Sequence, residues 1–329
     1  MSYEARYYQK EVANKVKCLL CPHNCLIGNH KAGICLARQN EEGVLYALTY
    51  GELTSYAVDP VEKKPLYNFY PGTKVFSIGS WGCNLKCTFC QNWQTSQQKS
   101  VTEHYEKEEI ITLAKESNSI GIAYTYNEPL IGYEFVFDVC CLAHENNLKN
   151  VLVTNGFINE EPLTEILPYI DAMNIDLKAF SNEFYVKVCA GQLAPVLKTI
   201  KQAKAAGIHV ELTTLIIPGL NDEKDIESIV EWVSEISVDI PLHFSRYFPQ
   251  YKMSIEQTEL KVLQRAYEIG KRKLKYVYMG NVPAQVGGSD TYCPKCGEKI
   301  IKRDFIDIDS SKISDGKCIY CNQKIAGCF

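Results

Sequence analysis

The chain has 329 residues, 46 % hydrophobic and 22 % charged, a globular composition that excludes a disordered or low-complexity protein. Lys and Arg number 35 against 39 Asp and Glu, a net charge of -4, so no overall basic field favours nucleic acid and such a partner would need a local basic patch. The opening MSYEARYYQKEV has no apolar signal core, and no stretch reaches the roughly 18 apolar residues of a membrane span, so a soluble, cytoplasmic protein without membrane association is expected.

In chain order, residues 1–72 form a Cys-rich module and a lead-in. CLLCPHNCLIGNHKAGIC carries Cys18, Cys21, Cys25 and Cys35, with His23 and His30 close by. Its C-x2-C-x3-C part is superficially like an iron–sulfur site. A fourth cysteine further on suits a small closed metal module, most simply zinc, with Cys25 or His23 as the spare. The Gly/Pro-punctuated GELTSYAVDPVEKKPLYNFYPGT then leads into the next unit.

Residues 73–283 alternate strand-like apolar runs with helix-length segments of mixed polarity. Strands are expected at 75–80, 120–126, 150–154, 173–177, 209–217 and 242–247, with a weaker one at 276–279. Helices are expected near 107–118, 132–147, 160–168, 195–206, 222–236 and 255–272, several opened by capping residues such as Asn221 and Ser254. Six or so βα units describe an α/β fold, a partial or complete βα barrel. Chemistry in such barrels sits on the loops at the C-terminal strand ends. Here those loops read GCNLKCTFCQN, YTYNEP, TNGF, DLKAF, IIPGLND and SRYFPQYK.

The first of these loops holds Cys83, Cys87 and Cys90 as C-x3-C-x2-C. Three close thiolates can hold three corners of one iron–sulfur cube, whereas a structural zinc or an electron-carrying cube takes four protein ligands. The iron left open can bind a substrate. The alternative is a distant cysteine, Cys140 or Cys189, completing a four-ligand site. Residues 284–329 form the last module, where Cys293-Pro-Lys-Cys296 and Cys318-Ile-Tyr-Cys321 are two C-x2-C knuckles. Four thiolates from two such turns make a closed tetrahedral site of zinc-ribbon type, which a rubredoxin-like iron can also use. Cys328 is left over.

C-x3-C-x-aromatic-C, with Phe89 before the last cysteine and a barrel strand before the first, resembles the signature of the radical S-adenosylmethionine (SAM) superfamily. The resemblance implies a partial (β/α)6 TIM-like barrel with small Cys-rich metal-binding modules at both ends. It implies a 4Fe-4S cluster whose open iron chelates SAM, with one-electron cleavage to methionine and a 5'-deoxyadenosyl radical. Phe89 would lie near the adenine, or be a packing residue. Glu128 stands where related enzymes carry a Gly-Gly-Glu-type motif that receives the SAM ammonium, although the glycine pair is missing and Asn127-Glu128-Pro129 can simply cap the next helix. DLKAF resembles the Asp-x-Lys of glycyl radical enzyme activases, with Asp176 accepting hydrogen bonds and Lys178 placing a cation at the SAM carboxylate; a surface pair is the plain reading. Asn155-Gly156 is a turn or a close approach to cofactor, and Ile217-Pro218-Gly219 keeps part of an adenine-flanking motif. His243 and Arg246 reach SAM or substrate, unless His243 is a satisfied core residue, and Tyr247 and Tyr251 are candidates to line the cavity.

With CLLCPHNC, DPVEKKPLYNFYPGT, SIGSWGCNLKCTFCQNW, PLHFSRYFPQYKM, TYCPKCG and CIYCNQKIAGCF, nearly the whole chain resembles the radical SAM enzyme of the AmmeMemoRadiSam system, related to pyruvate formate-lyase activating enzymes. The expected function is SAM cleavage for hydrogen abstraction from an unidentified substrate, such as a protein or peptide. The alternatives are an activase that installs a glycyl radical and, in another class, a non-catalytic metal-binding interaction protein. The resemblance implies a one-electron donor such as flavodoxin or ferredoxin, and Memo-like and AMMECR-type partner proteins. The 21 tyrosines suit stacking on RNA bases, but no basic surface accompanies them.

Overall fold

The apolar runs of the middle of the chain pair into an eight-stranded sheet in the computed structural model, which describes residues 3–304 and 307–329. Its strands are β1 (Ser55–Pro60), β2 (Lys74–Gly79), β3 (Gly121–Tyr124), β4 (Lys149–Thr154), β5 (Ala172–Asp176), β6 (His209–Ile216), β7 (Leu242–Arg246) and β8 (Val277–Gly280). They lie side by side in sequence order, and all neighbours are parallel except β1 against β2. Strands such as β3, buried at every position, are covered on both faces, as parallel βα units require. Sequential parallel order is what a partial βα barrel needs, and the strand expected at 276–279 is a full member of the sheet. β1 was not foreseen. It comes from the lead-in before residue 73, and its largely exposed sequence SYAVDP carries no apolar run to betray an edge strand.

The longer helices are α1 (Lys107–Glu116), α2 (Tyr133–Glu145), α3 (Glu160–Ile166), α4 (Leu193–Ala205), α5 (Glu223–Ile236) and α6 (Leu260–Lys271). In α5 the buried residues Ile226, Ile229, Val230 and Val233 recur at helical spacing and form one stripe against the sheet. Its start differs by one residue from expectation. Asp222 is the cap, its carboxylate accepting from the Asp225 N–H at 3.2 Å. The Asn221 side chain instead ties together the Lys178 and Leu215 carbonyls and the Ile217 N–H. Ser254 caps nothing either, since α6 begins after Glu259.

The sheet's N-terminal half holds a polar layer built on Glu211. Its carboxylate contacts His209 at 2.9 Å and His243 at 2.6 Å, and accepts the backbone N–H groups of Tyr67 and Asn68 at 3.0 and 2.7 Å. Asn174 donates to the Pro65 carbonyl and the Tyr278 hydroxyl to Asn68. The stretch 65–71 is thus threaded under the sheet by side chains of β5, β6 and β8.

Small antiparallel sheets make up both flanks. At the C-terminal end, residues 291–329 pack Ile300, Ile301 and Ile325 against Tyr276 and Tyr278 of the β8 region. Among the described residues no helix is long and apolar enough to cross a membrane.

Candidate active site

Where β2 ends, the chain turns into the loop of three cysteines, and neighbouring strand ends fix that loop. Asn127, after β3, accepts from the Ser80 N–H at 3.0 Å and donates to the carbonyls of Trp81 and Gly82 at 3.2 and 3.1 Å. Asn155, after β4, donates to Asn84 at 2.9 Å and to the Cys83 sulfur at 3.5 Å, and the Leu85 N–H approaches the same sulfur at 3.4 Å. Lys86 and Thr88 donate their backbone N–H groups to the carbonyls of Cys189 and Val188. Gly82 has φ 88° here, and a Cβ on it would stand 2.5 Å from the Cys35 carbonyl oxygen, so the loop needs glycine at this point.

The loop lines a cavity of about 360 Å³, a size suited to a small-molecule cofactor or substrate. Cys83, Cys87, Phe89, Cys90, Glu128, Asn155, Asp176 and Lys178 all line it, as their loops were expected to do. His243 and Arg246 do not. His243 is spent on Glu211 in the layer below, packed between Tyr67 and Tyr278 at ring separations of 4.6 and 5.0 Å, so it is the satisfied core histidine. Arg246 donates to the Thr258 carbonyl at 2.7 Å and lies over the Phe248 ring. Ser245 and Asn281 line the cavity from that side. Tyr247 is buried and donates to the Met253 carbonyl, while Tyr251 stacks on Trp93, so neither lines the cavity.

Glu128 is held by three protein donors. One carboxylate oxygen accepts from the Leu130 N–H at 3.1 Å and the Thr154 hydroxyl at 2.6 Å, the other from the Asn155 N–H at 2.8 Å. Burial pushes its carboxyl up to about 7 against the pull of these bonds. It does cap the short 3-10 turn Pro129–Gly132, yet it also faces the cavity. Lys178 and Asp176 pair at 2.8 Å, and the Lys178 ammonium lies 5.9 Å from the Phe89 ring centre. Phe89 itself packs on Phe184.

Three soft thiols on one loop, with N–H donors aimed at the Cys83 sulfur, are a donor set that fits an iron–sulfur cluster. Burial pushes the Cys83 thiol up, and a hydrogen bond with Cys189 followed by burial does so for Cys87; a bound metal's charge is what would favour thiolates here. Cys189, which the sequence offers only as a fourth ligand, is buried beside Cys87. Lys63 and Pro65 line the cavity too, a contribution of the lead-in that no motif announces.

Two further cysteine groups lie outside this loop, the N-terminal one directly against it, with Cys35 beside Gly82 and His23 on the Asn84 carbonyl. The sulfurs of Cys293, Cys296, Cys318 and Cys321 all lie within 4.8 Å of one another, with pairs at 3.5 and 3.7 Å. Cys18, Cys21, Cys25 and Cys35 line a second, much smaller cavity.

Residues 78–233 match the model of the Radical SAM superfamily. Across 98 % of both chains this protein is 45 % identical to an uncharacterized protein of Methanocaldococcus jannaschii, MJ0808. It is 26 % identical to pyruvate formate-lyase 1-activating enzyme of Escherichia coli K12 over 44 % of this chain and 61 % of that one. Among solved structures, Streptococcus suis SuiB bound to precursor peptide SuiA superposes with a TM-score of 0.52 at 16 % identity, over 68 % of this chain and 52 % of that one, a likeness of fold.

Proposed function

We propose a function from one premise: this chain carries a radical SAM domain and belongs to one family with the Methanocaldococcus jannaschii protein. The proposal is a SAM-cleaving radical enzyme that abstracts hydrogen from a protein or peptide substrate. The observation that carries it is the convergence of Cys83, Cys87 and Cys90 with Glu128, Asp176 and Lys178 on one cavity.

In this reading Cys83, Cys87 and Cys90 hold a 4Fe-4S cluster, which when bound supplies the electron that cleaves the SAM sulfonium. Glu128 offers a carboxylate to the SAM ammonium, and Lys178, oriented by Asp176, offers a cation to its carboxylate. Phe89 gives the adenine an apolar wall. Asn155 fixes the Cys83 sulfur and donates its own N–H to Glu128, so it positions both halves of the site.

The likeness to pyruvate formate-lyase 1-activating enzyme, together with Asp176-x-Lys178, favours a second reading, installation of a glycyl radical on a partner enzyme. The resemblance to AmmeMemoRadiSam enzymes supports seeking that partner among Memo-like and AMMECR-type proteins, in the cytoplasm, with a flavodoxin or ferredoxin as electron source. For the C-terminal four cysteines, sulfur pairs at 3.5 and 3.7 Å support zinc.

The test is anaerobic. Protein reconstituted with iron and sulfide, then given SAM and a strong one-electron reductant, should release 5'-deoxyadenosine, detected by mass spectrometry, and Cys87→Ala should abolish it. Release by Cys87→Ala at the wild-type rate would sink the assignment of the loop. No release from a protein that carries the cluster but also fails to bind SAM would leave a non-catalytic metalloprotein. A backbone radical signal in a mixture with a candidate partner would select the activase.

A further inference from the structure

Strand β1 leaves one side of the sheet unpaired. It ends the strand order and lies antiparallel to β2, with Tyr56 opposite Ile78, Val58 opposite Phe76 and Asp59 opposite Val75. In the same register the Val61 N–H donates to the Thr73 carbonyl at 3.0 Å, and bonded pairs of an antiparallel ladder recur at every second residue. Ser55, Ala57 and Asp59 therefore bond to β2, while Tyr56 and Val58 turn their N–H and C=O groups outward. Such a row is a template for another extended chain unless charge, proline or a covering element guards it. Here no Lys or Pro precedes Pro60 in the strand, and Tyr56 and Val58 are 47 % and 43 % exposed.

The free edge borders the active-site cavity. Asp59, on the inward face of β1, accepts from the Tyr126 hydroxyl at 2.8 Å, and Tyr126 and Lys63 both line the cavity. Ser245 of β7 and Asn281 after β8 line it too, so the cavity lies between the two edges of the sheet. The edge also comes with a charge. Asp59 carries two ammonium groups, Lys64 at 2.7 Å and Lys63 at 3.1 Å, which leaves one positive charge in excess. Lys64 is buried and the Lys63 side chain is 68 % exposed, so Lys63 presents that excess at the cavity wall. The SAM contacts assigned above use Glu128 and Lys178 and leave Lys63 free for substrate. A carboxylate on an incoming chain is its complement.

We propose that β1 is the docking strand for substrate: an extended segment of the protein or peptide adds to its free edge, pairs with Tyr56 and Val58, and sets an acidic side chain on Lys63. The proposal rests on the reading of the substrate as a protein or peptide and gives that substrate its binding mode.

The experiment selects a binder from displayed random linear peptides on the full chain, reconstituted anaerobically with iron and sulfide and supplied with SAM. The selected peptide is then synthesised free and in two forms N-methylated at alternating amides. Acidic residues should be enriched among the binders, and binding should slow hydrogen exchange of the Tyr56 and Val58 amides. Val58→Pro removes an outward N–H and keeps the ladder with β2, so it should weaken binding about 10-fold, as should one of the two N-methylated forms. Lys63→Gln should cost an acidic binder roughly 2- to 5-fold. The proposal is overturned if no peptide binds, if Val58→Pro binds as tightly as wild type, or if Val58→Pro turns a wild-type dimer into monomers, since the edge then serves a second copy of this chain. Where Val58→Pro does not fold, the N-methylated pair against wild type decides. A peptide that stimulates 5'-deoxyadenosine release yet binds Val58→Pro equally well would keep the peptide reading and remove β1 from it. A peptide that pairs with β1 while SAM stays uncleaved would keep the docking strand and remove the SAM-cleaving reading.

Discussion

Glu128 accepts three hydrogen bonds from the protein before it meets any ligand, so it is held still, and its burial makes a charge on it costly until a cation arrives. Glu128→Gln keeps the shape, turns one oxygen into a donor facing donors, and removes the charge. Loss of one charge-assisted contact of about 1.5–3 kcal/mol corresponds to SAM binding weaker by roughly 10- to 100-fold. Equilibrium titration of SAM into variant and wild type of equal cluster content measures it, and an unchanged Kd would reduce Glu128 to a turn cap. The residues of this site were legible where a loop motif carried chemistry, as in the cysteines, Glu128, Asn155 and the Asp176–Lys178 pair. His243 misled because a histidine on a strand looks alike whether it faces ligand or core. Only the register of β7 against β6, which brings it to buried Glu211, decides. Ser245 was legible only as part of the SRYFPQYK loop, and Asn281 carried no signal at all.

At the scale of elements, the alternation of strands and helices was readable to within a residue or two, save for the start of α6, expected at 255 and found at Leu260, because burial on both faces of a parallel strand forces an apolar run whatever its neighbours are. Edge strand β1 and the threading of residues 65–71 escaped, since both depend on partners far along the chain. Glu211 is the hub of that threading. Burial alone would raise its carboxyl, but hydrogen bonds with His209 and His243 outweigh it and hold the carboxyl well below the ordinary range. The unfolded chain therefore takes up this proton first as pH falls. The stabilisation is complete above about pH 4.3 and is lost below it, toward the lower folded value. Glu211→Gln should lower Tm at pH 7, consistent with about 3–5 kcal/mol for breaking a buried charged network, and its deficit should shrink between pH 5 and pH 3. Calorimetry across that range tests it; parallel curves for the two proteins would show that Glu211 does not carry this acid sensitivity.

Across the whole molecule, cysteine spacing announced both flanking modules but not where they dock, because docking rests on single side chains scattered over distant stretches. The C-terminal module holds the underside of the sheet. The Arg303 guanidinium lies 4.4 Å from the Tyr67 ring centre and donates to the Tyr67 carbonyl, Asn68 donates to the Ala326 carbonyl at 2.9 Å, and Phe69 bridges Cys328. These contacts grip the same 65–71 stretch that Glu211 holds from above, and Pro65 from it reaches the cavity wall. The module's own core is small, so its fold should draw on a metal bound by Cys293, Cys296, Cys318 and Cys321. Cys296→Ser combined with Cys321→Ser should remove that metal, expose residues 290–329 to limited proteolysis and lower Tm. The three-cysteine loop lies at the opposite strand ends, so iron reconstituted there should be retained. Zinc and iron analysis beside a proteolysis time course reads all of this. Wild-type resistance and Tm in a variant shown to lack the metal would mean that the grip on residues 65–71 is made by Arg303 and the apolar contacts alone.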